Sequence, residues 1–175
     1  SLIDLNDPFD PIRKMAIPTE AELGKVGGKE DDHEADADNG TDPEKAAEFV
    51  KLTGISSLAV AIGTAHGFYV GTPVLDVPRL IAIRKKLEEN GCSIPLVLHG
   101  ASGLSPEAVK SCIAEGICKV NFATELRVAY TAAVRENLAS DEKIYDPKKY
   151  GAAARAAVVE AVKQRILVCG CDNKA

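Results

Sequence analysis

Two short apolar runs, each closed by a histidine and a glycine, constrain this chain more than any other feature. One is Leu58-Ala-Val-Ala-Ile-Gly-Thr-Ala-His66-Gly67, and the other is Pro95-Leu-Val-Leu-His99-Gly100-Ala-Ser-Gly103. Near-continuous apolar runs of this kind predict strands buried on both faces, the habit of parallel sheets covered by helices. Each imidazole then leaves the sheet at the carboxyl end of its strand, the edge where α/β folds build their sites. Two imidazoles converging there are candidate metal ligands.

From about residue 41 the chain alternates helix and strand. Thr41-Asp-Pro-Glu44 predicts a helix start, a capping side chain followed by a proline that needs no amide partner. Phe49, Val50 and Leu52 give that helix an apolar side, and Gly54 stops it. Strands are expected over 57–62, 94–98 and 117–122. Helices are expected over 76–90, from Ser105-Pro106, over 124–138 and from Asp146-Pro147 toward Val168. A further strand over 19–23 fits the pattern, with 1–4 as the remnant of another. This order predicts a parallel sheet in an α/β domain.

The chain is long enough, at 175 residues, for one domain with a real core. A net charge of −5 with no basic block, no Trp and scattered aromatics argues against a nucleic-acid partner. No apolar run reaches membrane-spanning length, and the first residues lack the pattern of a signal peptide. Five cysteines, an odd number with no Cys-x-x-Cys, argue for free thiols and a cytoplasmic location. Cys169-Gly-Cys171 is the one pair close enough in sequence for a redox role.

Residues 24–42 interrupt the pattern. They are glycine-rich and then acidic, which predicts a mobile acidic loop. A calcium loop is excluded: with Gly40 as its fixed glycine, the first and third ligand positions fall on Ala35 and Ala37. His33, inside this stretch, is the only other histidine and a poor candidate for a third ligand.

Around the two histidines lie groups suited to an anion. Gly100-Ala101-Ser102-Gly103 links a strand to a helix, where backbone amides can point at a phosphate. Asn121-Phe122-Ala123-Thr124 follows the next strand and opens a helix, offering free first-turn amides. Glu20 and Glu22 alternate on one strand and so share a face, where they could hold a cation, hold a proton or simply fill the interior. Glu30 follows Gly27-Gly28 on the acidic loop. On a closing lid it would serve as a general base; otherwise it is a surface acid.

Four segments carry a resemblance to a known family. They are Glu20-Ala-Glu-Leu-Gly-Lys-Val-Gly-Gly-Lys-Glu-Asp-Asp32, Ala59-Val-Ala-Ile-Gly-Thr-Ala-His-Gly67, Leu96-Val-Leu-His-Gly-Ala-Ser-Gly103 and Lys119-Val-Asn-Phe-Ala-Thr-Glu-Leu-Arg127. In this order they resemble the class II, metal-dependent ketose-bisphosphate aldolases, a family that includes fructose- and tagatose-bisphosphate enzymes. The resemblance implies a partial (β/α)8 TIM barrel, the last four to five β/α units, as one domain over 1–175 with a divergent segment at 1–18. It implies zinc at His66 and His99. Glu22 would serve a second metal position, with Asp4 as its companion. Gly67, Gly100, Ala101, Ser102, Asn121, Phe122, Ala123 and Thr124 would hold the triose-phosphate part of a sugar bisphosphate, some of them also a monovalent cation (Na+ or K+). Glu30 matches the glutamate that moves a proton at the carbon alpha to the ketone.

The chain also departs from that family. The amino-terminal strands, with an Asp that acts on the aldehyde-side oxygen and a further zinc-binding His, have no counterpart in this sequence. A complete barrel usually takes about 250 residues. The expectation is therefore a half barrel that pairs with a missing amino-terminal half or self-associates, with little aldolase activity alone and an inactive phosphate-binding subunit as the alternative. Whether the sugar is fructose or tagatose bisphosphate is not written in these residues.

Overall fold

A computed structural model describes residues 15, 17–28, 40–69 and 71–174. In chain order its elements are β1 (Glu20–Leu23), β2 (Gly27–Gly28), α1 (Pro43–Thr53), β3 (Ser57–Val60), β4 (Ala65–His66), α2 (Val77–Glu89) and β5 (Leu96–Leu98). They are followed by α3 (Pro106–Ala114), β6 (Ile117–Val120), α4 (Thr124–Ser140) and α5 (Pro147–Val168).

Four strands form one parallel sheet in the order β1-β3-β5-β6. Consecutive parallel strands need a crossover, and α1, α2 and α3 supply it in turn. The helices begin where the sequence says they should. Asp42, Asp76, Ser105 and Asp146 each accept a hydrogen bond from a first-turn amide, with a proline one or two positions later. Such caps satisfy amides that the helix itself cannot.

Register decides which side chains share a face. Glu22 pairs with Ala59, Ala59 with Val97, and Val97 with Lys119, so these four form one row across the sheet. The neighbouring positions Leu58, Val60, Leu96, Leu98 and Ile117 point the other way. They pack against Val50 of α1, Leu80, Ile83 and Leu87 of α2, and Val109 and Cys112 of α3, forming the core. The face away from these helices carries Glu20, Glu22, Ser57, Ala59, Val97 and Lys119. One irregularity adjusts the register: Leu96 faces Ile117 while Val97 faces Lys119, leaving Cys118 as the extra residue. The pair α4 and α5 packs mainly on itself. No residue of α4 is buried, and in α5 only Gly151 and Ala154 are.

Two features refine the sequence reading. The apolar run into His66 is two strands, not one. It breaks at Gly63, whose φ is +98° and where a Cβ would lie 2.7 Å from the Val74 carbonyl oxygen. The chain then resumes as β4, which pairs in parallel with β2. The described ends of residues 24–42 are also ordered. Gly27 and Gly28 form β2, Val26 is buried, and buried Thr41 accepts from the Ala61 amide at 2.7 Å while donating to the Leu23 carbonyl. Thr41 thereby ties the carboxyl ends of β1 and β3 together. The strand expected over 1–4 and residues 29–39 of the acidic loop lie outside the described residues.

All five cysteines are free thiols. Burial pushes the Cys112 thiol above its usual pKa, as expected for a small apolar core residue. Among the described residues no helix is long and apolar enough to cross a membrane.

Candidate metal and anion site

The carboxyl ends of β1, β3 and β5 gather the chemistry. His99 follows β5 directly. The β2–β4 ladder fixes His66, whose backbone partner is Gly28. The two rings lie with centroids 6.3 Å apart and planes inclined by 35°. Glu22, two positions beyond Glu20 on the same strand face, reaches His99 Nδ1 with Oε2 at 2.5 Å. One ligand atom each from Glu22, His66 and His99 falls within 4.8 Å of the other two.

That donor set fits zinc. Zinc takes imidazole nitrogen and carboxylate oxygen at about 2.0–2.2 Å, so donors around a tetrahedral ion stand about 3.4 Å apart. The three donors already lie within 4.8 Å of one another, so small side-chain adjustments would bring them to that spacing. Three protein donors leave a fourth position for substrate, as catalytic zinc requires.

Glu20 does a different job from Glu22. Its Oε1 lies 3.0 Å from His99 Nε2, and Lys119 Nζ donates to both of its oxygens at 2.8 and 3.0 Å. The Ser57 hydroxyl donates to Oε2 at 3.4 Å. Burial opposes ionisation of Glu20, but the hydrogen bonds from Lys119 and His99 outweigh it and hold its carboxyl below the usual range. With Nε2–H donating to Glu20, Nδ1 would be the nitrogen available to a metal ion, on the side of Glu22. Carboxylates behind metal-binding histidines orient the ring in this way, and their loss typically costs 10–100-fold in metal affinity. Replacing Glu20 by Gln is therefore expected to weaken zinc binding about tenfold or more. Competition against a chromophoric chelator measures it, and unchanged affinity would remove Glu20 from this role.

Tyr69 is a residue the sequence did not single out. Its hydroxyl donates to the Gly100 carbonyl at 2.7 Å and accepts from the Ala65 amide at 3.0 Å, joining the two loops that carry the histidines. Burial raises its pKa against the opposing effect of the Ala65 amide, so the hydroxyl keeps its proton well past neutrality. Only its place three residues after His66 could have drawn attention to it.

Beside the histidines lies a cavity of about 440 Å³, lined by His66, Gly67, His99, Gly100, Ser102, Asn121, Ala123, Thr124 and Arg127. The start of α4 opens into it. Unlike the other four helices, α4 has no side-chain cap. The Ala123 amide is taken by the Ser102 hydroxyl at 3.0 Å, while among the described residues the Thr124 and Glu125 amides have no acceptor. Free amides at a helix start favour an anion. Arg127, one turn in, adds a positive charge that the sequence analysis did not count.

Two of the expected cradle residues are not brought to this cavity. Ala101 is fully buried in the core and its amide is committed to the Asn121 carbonyl at 3.2 Å, a bond that ties the ends of β5 and β6 together. Phe122 does not line the anion cavity. It lines a neighbouring apolar cavity of about 520 Å³, which Asn121 and Ala123 also border, with the Arg165 guanidinium 5.1 Å from its ring centroid. Glu30, Asp4 and His33 lie outside the described residues.

A family model described as fructose-bisphosphate aldolase class-II matches residues 9–174. The chain belongs to the class II fructose-bisphosphate aldolase family. Among solved structures, the YdjI aldolase from Escherichia coli K12 is 39% identical, with a TM-score of 0.76 over 94% of this chain and 53% of its own. A putative fructose-1,6-bisphosphate aldolase from Coccidioides immitis is 30% identical, with a TM-score of 0.78 over 93% of this chain and 55% of its own. The fructose-bisphosphate aldolase from Campylobacter jejuni, at 23% identity, supports the fold, with a TM-score of 0.74 over 94% and 55%. This aldolase-family chain thus spans about half the length of the solved relatives it matches, and its parallel α/β sheet corresponds to part of their barrel.

Proposed function

We propose that this chain provides the metal- and phosphate-binding part of a class II aldolase site. The reaction is the reversible, zinc-dependent cleavage of a ketose 1,6-bisphosphate, fructose or tagatose, to dihydroxyacetone phosphate and glyceraldehyde 3-phosphate. The observation that carries this reading is the convergence of Glu22, His66 and His99 next to the start of α4, which among the described helices alone has no side-chain cap.

His66 and His99 are the zinc ligands in this reading. Glu22 completes the set or serves a second position with Asp4. Zinc bound there supplies a Lewis acid for the ketose carbonyl and for the charge that cleavage leaves on the dihydroxyacetone-phosphate fragment. The rest falls to the protein. The Thr124 and Glu125 amides, Gly67, Gly100, Ser102 and Asn121 anchor the phosphate, so that binding remote from the reacting carbon orients it. Arg127 reinforces them. Glu30 moves the proton at the carbon alpha to the ketone. Backbone groups of the cradle would also hold a monovalent cation, Na+ or K+, when one is bound. Free thiols throughout the chain suit a reducing compartment such as the cytoplasm.

A second reading, an inactive phosphate-binding subunit, draws on the uncapped start of α4 and on Arg127, which suit an anion whether or not turnover follows. The aldehyde-side Asp and a further zinc-binding His of the family have no match in this sequence. Another copy or another polypeptide segment would supply them. The purified chain, titrated with zinc and then assayed for triose phosphate from each sugar bisphosphate, separates the readings. Stoichiometric zinc with turnover far below full-length relatives is the expected result for the chain alone. Failure to take up zinc would refute the aldolase reading.

A further inference from the structure

We infer that Tyr69 is a positioning residue that sets the distance between the two metal-binding histidines. The inference rests on the zinc reading of His66 and His99 given above.

The geometry is specific to the site. His66 sits on β4 and His99 on the loop after β5, and among the described residues the pairing of β3 with β5 ends at Ala59 and Val97. Beyond that point the two segments meet at a backbone crossing. Gly100 approaches Ala65 so closely that a Cβ on Gly100 would stand 2.6 Å from the Ala65 carbonyl oxygen. Ala65 immediately precedes His66, and Gly100 immediately follows His99. The Tyr69 hydroxyl occupies this crossing, bonded to the Ala65 amide at 3.0 Å and the Gly100 carbonyl at 2.7 Å. The ring is anchored in its turn: a Cβ on Gly103 would meet its Cδ2 at 3.2 Å. One side chain therefore spans the whole Gly100–Gly103 turn and fastens it to the strand that carries His66.

A ligand pair held at a preset separation does not lose the freedom of two independent loops when it closes on a cation. Removing the hydroxyl leaves an amide and a carbonyl at the crossing without this partner and lets the loops separate. Metal affinity then falls, although the Tyr69 hydroxyl bonds to backbone groups rather than to the rings. By linkage, the coupling is reciprocal: a metal ion that favours the fixed spacing also holds the crossing shut, by the same factor.

The test uses the whole chain and zinc alone. In Tyr69→Phe the ring and its packing remain. Its zinc dissociation constant, from chelator competition, is expected to rise about 10–100-fold, the range for residues that orient ligands. Cobalt substituted for zinc should show a weaker or shifted visible d–d spectrum. A merely structural role would lower the unfolding midpoint of the metal-free protein and leave the affinity of the folded fraction and the cobalt spectrum unchanged. That result would overturn the inference. Should Tyr69→Phe fail to fold, hydrogen exchange in the wild type decides. Zinc is expected to slow exchange of the Ala65 amide about tenfold or more, in step with the reciprocal coupling, and no change would overturn the inference. A wild-type chain that binds no zinc fails at the earlier step, refuting the reading of the site and this inference with it. A wild-type chain and a Tyr69→Phe chain that bind equally well refute the inference alone.

Discussion

Replacing His99 by alanine is expected to abolish useful zinc binding while leaving the fold standing. A protein-bound zinc ion is worth at least about 10 kcal/mol at neutral pH. Shared over three protein donors, that is about 3 kcal/mol each, or roughly 100-fold in affinity per donor. The real loss should exceed this share, because His99 is the hub of the site. Its Nδ1 faces Glu22 and its Nε2 faces Glu20. Without the ring, Glu22 loses the neighbour that helps define its direction, and Glu20 remains tied to Lys119 with nothing to orient. The fold should tolerate the change, since the core lies on the opposite face of the sheet among Leu58, Val60, Leu96 and Leu98. Chelator competition measures the affinity, and the far-ultraviolet dichroism of the same sample checks the fold. Retention of zinc within tenfold of the wild type would show that His99 is not a ligand.

Gly100→Ala is expected to damage the protein more broadly. Gly100 has φ of +67°, which costs a residue with a Cβ about 1–2 kcal/mol. The new Cβ would also stand 2.6 Å from the Ala65 oxygen and 2.9 Å from its carbonyl carbon. Ala65 cannot retreat freely, because it is paired to Gly27 and held by Tyr69. Overpacking of this sort adds about 1–3 kcal/mol. The sum, about 2–5 kcal/mol, is a large part of the 5–15 kcal/mol that holds a typical domain together. The natural control is Gly54→Ala. Gly54 has a similar φ of +63° but nothing within 4 Å of where its Cβ would be. Urea unfolding of both variants should therefore show a modest loss for Gly54 and a much larger one for Gly100, with weaker zinc binding in the Gly100 variant alone. Equal losses would mean that the crossing with Ala65 is looser than the geometry indicates.

Much of this arrangement could be read before any coordinates. The helix starts were legible because Asp42, Asp76, Ser105 and Asp146 are short acceptors placed before prolines, a local signal that needs no tertiary context. The convergence of His66 and His99 was legible because parallel strands bring their carboxyl ends to one edge. The break at Gly63 and the β2–β4 ladder were not legible, since two-residue strands carry no periodicity and Gly27-Gly28 has no side-chain pattern at all. The division of labour between Glu20 and Glu22 was half legible. Alternation puts both on one face, but which of them approaches the metal side of His99 depends on where His99 projects beyond β5. Tyr69 acts through its hydroxyl on two backbone groups far apart in sequence, and no pattern announces that.

The bare start of α4 has a thermodynamic corollary. Four helices carry their own finishing residue, whereas this one would be completed by an anion arriving from outside. On the reading proposed above, recognition and folding draw on the same free energy, so a phosphate-bearing ligand should reinforce the domain as it docks. Heat resistance would then report occupancy, and a simple melting experiment with inorganic phosphate could register docking in the absence of turnover.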